Sequence, residues 1–327
     1  MRHIFLSVIL SSSFILNFYV LWRLCGLFAI KRGLAFWILV FICSISLIGL
    51  AMLRHSFDNI ISKIVYVTVV NWYGILWLLF STLIIYEIVR LFVKIPPSTA
   101  GAWILSIAAL ATVYSMINAQ LIHIKKLTIP GNTDCNMVQI SDIHLGSVSA
   151  QFLKRVIEKT NSLNPDLIFI TGDMVDNLGN NTQEAIANLK NLNAPAFFVT
   201  GNHEMYTRRA KVIEFLSQAN IKTLTDETAD FNGIQIIGID ESDDIKNLGN
   251  IISNLNIDRS KFTVLLSHRP VPIKILSQMK INLALCGHTH AGQIFPFNFI
   301  VGLFQKPVSG LHKYENSRLY VTSGTGT

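Results

Sequence analysis

Five short stretches of this 327-residue chain place metal-binding or proton-transferring side chains directly behind apolar runs. The first is VQISDIHLG, where β-type residues lead into Asp142 and His144. Side chains at i and i+2 of an extended segment leave on the same face, so this pair can reach one ion. After LIFIT come Gly172 and Asp173, with Asp176 three residues further on. After AFFVT come Gly201, Asn202, His203 and Glu204, and after FTVLLS comes His268. LALC is followed by His288 and His290, again at i and i+2.

Alone, an Asp-x-His or Gly-Asp is more often a turn or a cap than a ligand set. Five such pieces, all behind strand-like runs and using five of the nine histidines, point instead to one shared centre. Asp142, His144, Asp173, Asn202, His268, His288 and His290 are too many ligands for one ion. Mixed imidazole, carboxylate and amide donors suit Mn, Fe, Zn, Co or Ni rather than calcium, with Mn the leading expectation. Two ions about 3.5–4 Å apart and sharing Asp173 would leave open positions for a hydroxide and for substrate oxygens, as in two-metal hydrolysis. His3, His55, His123 and His312 are read as structural.

A centre of this kind needs strands to deliver it, and the pattern supplies them in alternation with helices, which argues an α/β domain. A first strand is expected at 123–129, a turn at Pro130-Gly131-Asn132, then the VQIS strand. Ser149 should cap a helix running to about Leu163 with Phe152, Val156 and Ile157 inward. A strand at 167–171, a helix near 182–192, a strand at 196–200 and a helix near 209–219 come next. Asn232-Gly233 signals a hairpin into 234–239. Strands at 262–267, 283–286 and 319–322 complete the series.

The N-terminal part is different in kind. Apolar residues make up 51% of the chain and charged ones 14%, too apolar for one soluble domain. Hydrophobic segments lie at 3–22, 34–53, 64–89 and 101–117. The first three are long enough to cross about 30 Å of hydrocarbon, and the fourth is marginal. A removable signal peptide is disfavoured for the first, since three more segments come after it and no small-residue cleavage site stands out. Residues 1–135 hold ten Lys/Arg against three Asp/Glu, whereas 136–327 hold seventeen of each. The net +7 therefore flanks hydrophobic segments, and a nucleic-acid partner loses its support. The expected organisation is a four-helix transmembrane domain at 1–120, a linker at 121–135 and a catalytic domain at 136–327. Lys/Arg counts on the two sides tie at five each, so the side facing the catalytic domain stays open. The four cysteines show neither a disulfide framework nor a zinc pattern.

DIHLG, GDMVD, GNHE, the lone His268 and GHTH, in that order, resemble the motifs of the calcineurin-like metallophosphoesterases. SHRP and GHTHAGQIFP are similar to the bacterial membrane-associated branch of that superfamily. The resemblance covers about residues 136–327. It implies a four-layer α/β/β/α sandwich with two mixed sheets. It also implies a first metal on Asp142, His144, Asp173 and His290, and a second on Asp173, Asn202, His268 and His288. His203 would be the catalytic acid, with Asp176 orienting its ring. The implied reaction is hydrolysis of a phosphoester or pyrophosphate by metal-bound hydroxide. Family members usually continue past the Gly-Thr-Gly of the last strand, while this sequence ends at Thr327. Any effect of that difference is expected through folding and closure of the site, because the metal motifs are complete.

The expected partners are a phosphorylated substrate and membrane lipids; oligomeric state has no signal. Membrane attachment favours a lipid-linked phosphate, such as the pyrophosphate of a nucleotide-activated glycolipid, with a nucleotide or phosphodiester still open. IFPFNFIVGLF, directly after GHTHAGQ, is either an apolar lip facing the bilayer or a segment packed in the domain core. Arg269 is either a phosphate contact or a surface arginine. Glu87, in an apolar run, is read as a partner of Arg90 at helical spacing rather than a transport residue. Competing classes are a non-catalytic metal-binding scaffold or regulatory module, and a transporter with a regulatory enzyme domain. The first would be expected to lack ligands, and the second would need polar residues lining its helices.

Overall fold

A computed structural model describes residues 2–53, 60–131, 133–179, 182–241, 247–294 and 296–326. The chain divides into two compact units, Met1–Leu121 and Ile122–Thr327. Among its described residues the first holds four helices, α1 (Arg2–Leu27), α2 (Leu34–Leu53), α3 (Ile60–Val89) and α4 (Pro97–Asn118). Three stretches are long and apolar enough to cross a membrane: Leu6–Leu27, Ile64–Val89 and Pro97–Asn118. Helix α2 is apolar over its described side chains, Leu34–Gly49, and α4, expected to be marginal, is long enough. α4 gains length because Pro97 opens it: proline's preset φ and missing N–H suit the first helical position.

Val20, Leu76, Leu83, Ala100 and Ile104 form the core of this unit. Glu87 pairs with Arg90 at 2.6 Å and accepts from Arg23 Nε at 2.7 Å, so two guanidinium groups engage its carboxylate. Buried Asn17 donates to Ser13 O at 2.9 Å and accepts from Trp72 Nε1 at 2.9 Å. Asn71, the amide that stands out in the sequence, instead bonds Val67 O of its own helix at 2.7 Å.

Among its described residues the second unit carries two sheets. β1 (Met137–Ile140), β2 (Leu167–Thr171), β3 (Ala196–Val199) and β4 (Ile221–Thr223) form one, in that order and all parallel. Parallel neighbours need crossover connections, and α5 (Ala150–Asn161), α6 (Thr182–Ala187), α7 (Asn202–Tyr206) and α8 (Arg209–Gln218) lie in them. This sheet is not mixed, contrary to expectation, because every link between its strands runs through helix. The other sheet is mixed, with antiparallel pairs at both edges, in the order β5 (Glu227–Phe231), β6 (Ile234–Gly238), β7 (Phe262–Leu266), β8 (Leu283–Cys286), β10 (Ser317–Val321), β9 (Gly310–Tyr314). The short helices α9 (Leu248–Asn254), α10 (Ile273–Gln278) and α11 (Phe297–Phe304) complete the unit.

β2 and β3 read as continuous apolar runs because both of their faces are buried. Ile168, Ile170 and Phe198 enter one core with Phe152, Val156 and Leu216 of the helices. Leu167, Phe169, Phe197 and Val199 enter another, shared with Ile236, Val264 and Leu285 of the second sheet. A third core joins Ile237, Leu265 and Ala284 to Leu248 and Leu276 of α9 and α10. Ser149 caps α5 by accepting from Phe152 N, and Phe152, Val156 and Ile157 are buried as the periodicity requires. Asn232 and Gly233, at φ 45° and 82°, make the β5–β6 turn. Residues 123–129 form no strand. Ile122 and Ile129 pack on different cores, while His123, Lys125 and Lys126 between them are exposed, so this stretch has no single apolar face to lay on a sheet.

Candidate metal centre

The parallel strands β1, β2, β3, β7 and β8 end where the candidate residues begin, and their loops are laced by main-chain bonds. Asp142 N donates to Gly172 O at 3.1 Å, His144 N to Asp173 O at 3.0 Å and Gly287 N to His268 O at 2.9 Å. Gln139, inside β1, ties the two sheets by donating to Thr171 Oγ1 at 2.8 Å and Cys286 O at 3.1 Å. The folding of these loops is strained: Asp142, His144, Asp173, His288 and His290 all hold φ between 50° and 73°. Left-handed backbone at non-glycine residues costs on the order of 1–3 kcal/mol each and concentrates at functional sites. Between two of these turns, Gly172 must be glycine. A Cβ there would lie 2.5 Å from His268 Nδ1, and its φ is 84°.

Among the described residues three groups of ligand-type atoms result: His144, Asp176 and His203 form one, and the other two share Asp173. Asp142, His144, Asp173 and His290 bring one atom each to within 4.8 Å of the others, and so do Asp173, His268 and His288. Asp173 belongs to both. Its Oδ2 stands 3.2 Å from His268 Nε2 and 3.9 Å from His144 Nε2. Asn202 joins the second group, its Oδ1 being 3.1 Å from His268 Nε2. All seven residues singled out as ligands are therefore brought together.

The residues fit a pair of cations on their own geometry. His144 Nε2 faces His290 Nε2 at 3.2 Å, and His268 Nε2 faces His288 Nδ1 at 3.2 Å. Such nitrogen pairs, converging beside carboxylate oxygens, place lone pairs where a cation can take them. The opposite ring nitrogen of His268 lies 2.9 Å from Thr171 O, which fixes the proton there and leaves Nε2 as the ligand atom.

Electrostatics follow the same division. Burial, helped by the charges of His268 and Arg269, holds His288 down to about 3, and burial also lowers His290. Burial would lower His268 as well, but the hydrogen bond and charge of Asp173 push it up to about 9. Burial opposes ionisation of Asp173, yet the hydrogen bond and charge of His268 hold its carboxyl well below the usual carboxylate range. A proton thus occupies His268 in the metal-free protein at pH 7 and must leave when a cation binds. Apparent metal affinity is expected to rise by up to about tenfold per pH unit between pH 7 and 9, with about one proton released from His268. Titration calorimetry in buffers of different ionisation enthalpy reads this release directly.

Asp176 touches more than expected. Its Oδ1 lies 2.6 Å from His203 Nδ1 and 2.6 Å from His144 Nδ1, and Ser147 Oγ donates to Oδ2. Against the cost of burial, these bonds hold its carboxyl well below the usual range. His203 is 30% exposed, and its Nε2 stands 3.8 Å from Asp173 Oδ2.

Several supporting residues escape a sequence reading. Glu204, fully buried, accepts from the backbone N–H groups of Gly201 and Asp173 through Oε2 and of Met174 and Val175 through Oε1. Burial and the neighbouring Asp173 push it up to about 7. Its place three residues after Gly201 is the available signal, since that spacing lets a carboxylate reach back to a helix start. Glu204→Gln turns an amide NH2 toward N–H donors and is expected to cost about 3 kcal/mol, read as a lowered thermal midpoint. Ser141 Oγ donates to Asp142 Oδ2 at 2.5 Å. Thr325 N and Gly326 N bond Ser141 O and Asp142 O, bracing the same loop from the last described residues. Arg269 is engaged by Glu241 at 2.6 Å.

Comparison with known proteins agrees with the geometry. Residues 136–292 match the calcineurin-like phosphoesterase family. A metallophosphoesterase of Campylobacter jejuni is 35% identical over 204 residues, 59% of this chain and 54% of that protein. One from Aquifex aeolicus is 32% identical over 241 residues, 68% of this chain and 90% of that protein. A Danio rerio transmembrane protein with a metallophosphoesterase domain is 31% identical over 252 residues, 68% of this chain and 57% of that protein. The chain spans about half the length of its Campylobacter and Helicobacter relatives.

Proposed function

Because the chain belongs to the calcineurin-like phosphoesterase family, we propose that its second unit hydrolyses a phosphoester or pyrophosphate bond with two divalent cations, and that the apolar helices make it a multi-pass membrane enzyme. The observation that carries this reading is the pair of ligand groups sharing Asp173. Asp142, His144, Asp173 and His290 would hold one cation, and Asp173, Asn202, His268 and His288 the other. Bound there, the cations would polarise the phosphoryl oxygens and activate the attacking water, with Mn the leading identity. His203 would deliver the leaving-group proton from Nε2, since its Nδ1 is tied to Asp176. Partial exposure lets that ring meet a substrate from solvent, while the ligands below it are mostly buried.

A lipid-linked phosphate is the leading substrate, with a nucleotide or other phosphodiester as the alternative; the membrane helices support the first. Arg269, partnered by Glu241 and still partly exposed, is the side chain proposed to meet a substrate phosphate. The reading is tested by hydrolysis of bis-p-nitrophenyl phosphate with full-length, chelator-stripped protein in detergent, with Mn added back. Turnover that appears only with metal is the expected result. A folded protein that binds two ions and hydrolyses neither this probe nor a lipid pyrophosphate would favour a metal-binding scaffold instead.

A further inference from the structure

Helix α11 is built inside out. Phe299, Ile300 and Leu303 fall within about 100° of its circumference, and they are 66%, 39% and 74% exposed. The opposite side carries Asn298 and Gly302, which face the domain: a Cβ on Gly292 would meet Asn298 Cα at 2.3 Å, and one on Gly302 would meet Val308 at 3.5 Å. A helix serving only a water-soluble domain shows the reverse polarity. Of the two readings the sequence leaves for IFPFNFIVGLF, burial in the core is therefore excluded for this stripe. Among the described residues of the second unit beyond Gly131, the exposed large apolar side chains lie on α7, α11 and β9. Two of these elements adjoin the metal centre: α7 starts at Asn202 and contains His203, and α11 packs on the turn that comes after His290.

We propose that the outward face of α11 is a lipid-docking surface, with Phe299, Ile300 and Leu303 inserted among acyl chains at the bilayer interface. Three observations favour a bilayer over a protein partner. The chain's own apolar helices place it at a membrane, a step that rests on the multi-pass reading above and not on the metal chemistry. The residues between Asn118 and Met137 reach at most about 65 Å when extended, so the second unit cannot leave the vicinity of that membrane. Exposed Lys306 lies just past the helix and complements anionic headgroups. Docking in this way brings the ligand loops to the headgroup layer, where a phosphate borne by an amphiphile would meet them. Gln305, at the end of α11, already lies 3.5 Å from His288 Nε2.

The test is photocrosslinking of full-length protein in phosphatidylglycerol-containing nanodiscs, with p-benzoylphenylalanine replacing Phe299 or Leu303 in separate variants, and exposed Lys190 as control. Both test positions are largely exposed, so the substitutions leave the core intact. At least about tenfold more lipid adduct at 299 and 303 than at 190 is expected for an interfacial helix. Adducts to a second copy, adducts to the chain's own membrane helices, or yields at 299 and 303 no higher than at 190 would overturn the proposal. Adducts are read by mass, so the result stands apart from whether the protein hydrolyses a phosphoester.

Discussion

Asp173→Ala is expected to lose bound metal and turnover together, with hydrolysis falling by about 10³-fold or more, because both cations would lose the ligand proposed to be shared between them. The geometry makes this the most damaging single change in the site. Asp173 Oδ2 is within 3.2 Å of His268 Nε2 and 3.9 Å of His144 Nε2, while Oδ1 accepts from His203 N at 2.8 Å. Removing the carboxylate takes the acid common to the two ligand groups, and it also takes the charge that opposes the burial of His268. A folding artefact has to be kept apart from this, because Asp173 sits at φ 51° and alanine tolerates that conformation poorly. Asp173→Asn resolves the ambiguity: asparagine accepts left-handed backbone, keeps the shape and removes only the charge. Metal content after desalting and turnover on bis-p-nitrophenyl phosphate should both fall in the Asn variant. Two ions retained at full activity would show that Asp173 is not shared.

Much of this site is legible in the amino-acid sequence, for a physical reason. Metal ligands must come from few residue types, and a parallel sheet delivers them at strand ends, so LIFIT, AFFVT and LALC mark both the strand and the position of the candidate ligand behind it. The Ser149 cap and the Asn232-Gly233 turn are legible because each depends on a local interaction. The hidden features depend on distant partners. Glu204 gathers N–H groups from two different loops, and Asp176 serves His144 as well as His203. Strand β9 has the mixed sequence GLHKY and pairs on one side only, so it carries no period-2 apolar signal. The stretch 123–129 misleads for the opposite reason. Its isoleucines imitate a strand, but Ile124 is exposed, and Ile129 and the preceding Ile122 anchor to separate cores. In the first unit Arg23 is absent from any local reading of Glu87, since it arrives from another helix.

His203→Ala should separate chemistry from metal binding. The ring lies outside both ligand groups that contain Asp173, and it is more exposed than His144 or His268. Its Nδ1 is held by Asp176 at 2.6 Å, which leaves Nε2 to carry the proton toward a leaving group. Loss of a general acid costs about 10²–10⁴-fold when the leaving group is a poor one. An alkyl phosphodiester should therefore lose most of its turnover, whereas a p-nitrophenyl ester, whose departing phenolate needs little protonation, should lose only a few-fold. Both variant and parent should hold two equivalents of metal. Removing Asp176 would be a weaker experiment, because His144 would lose its partner at the same time and metal affinity would fall with acid catalysis. If the His203→Ala protein keeps its metals and slows both substrates equally, the ring positions the substrate and the proton comes from another group. If it loses metal as well, His203 belongs with the ligands, and the 3.8 Å gap to Asp173 Oδ2 closes around an ion.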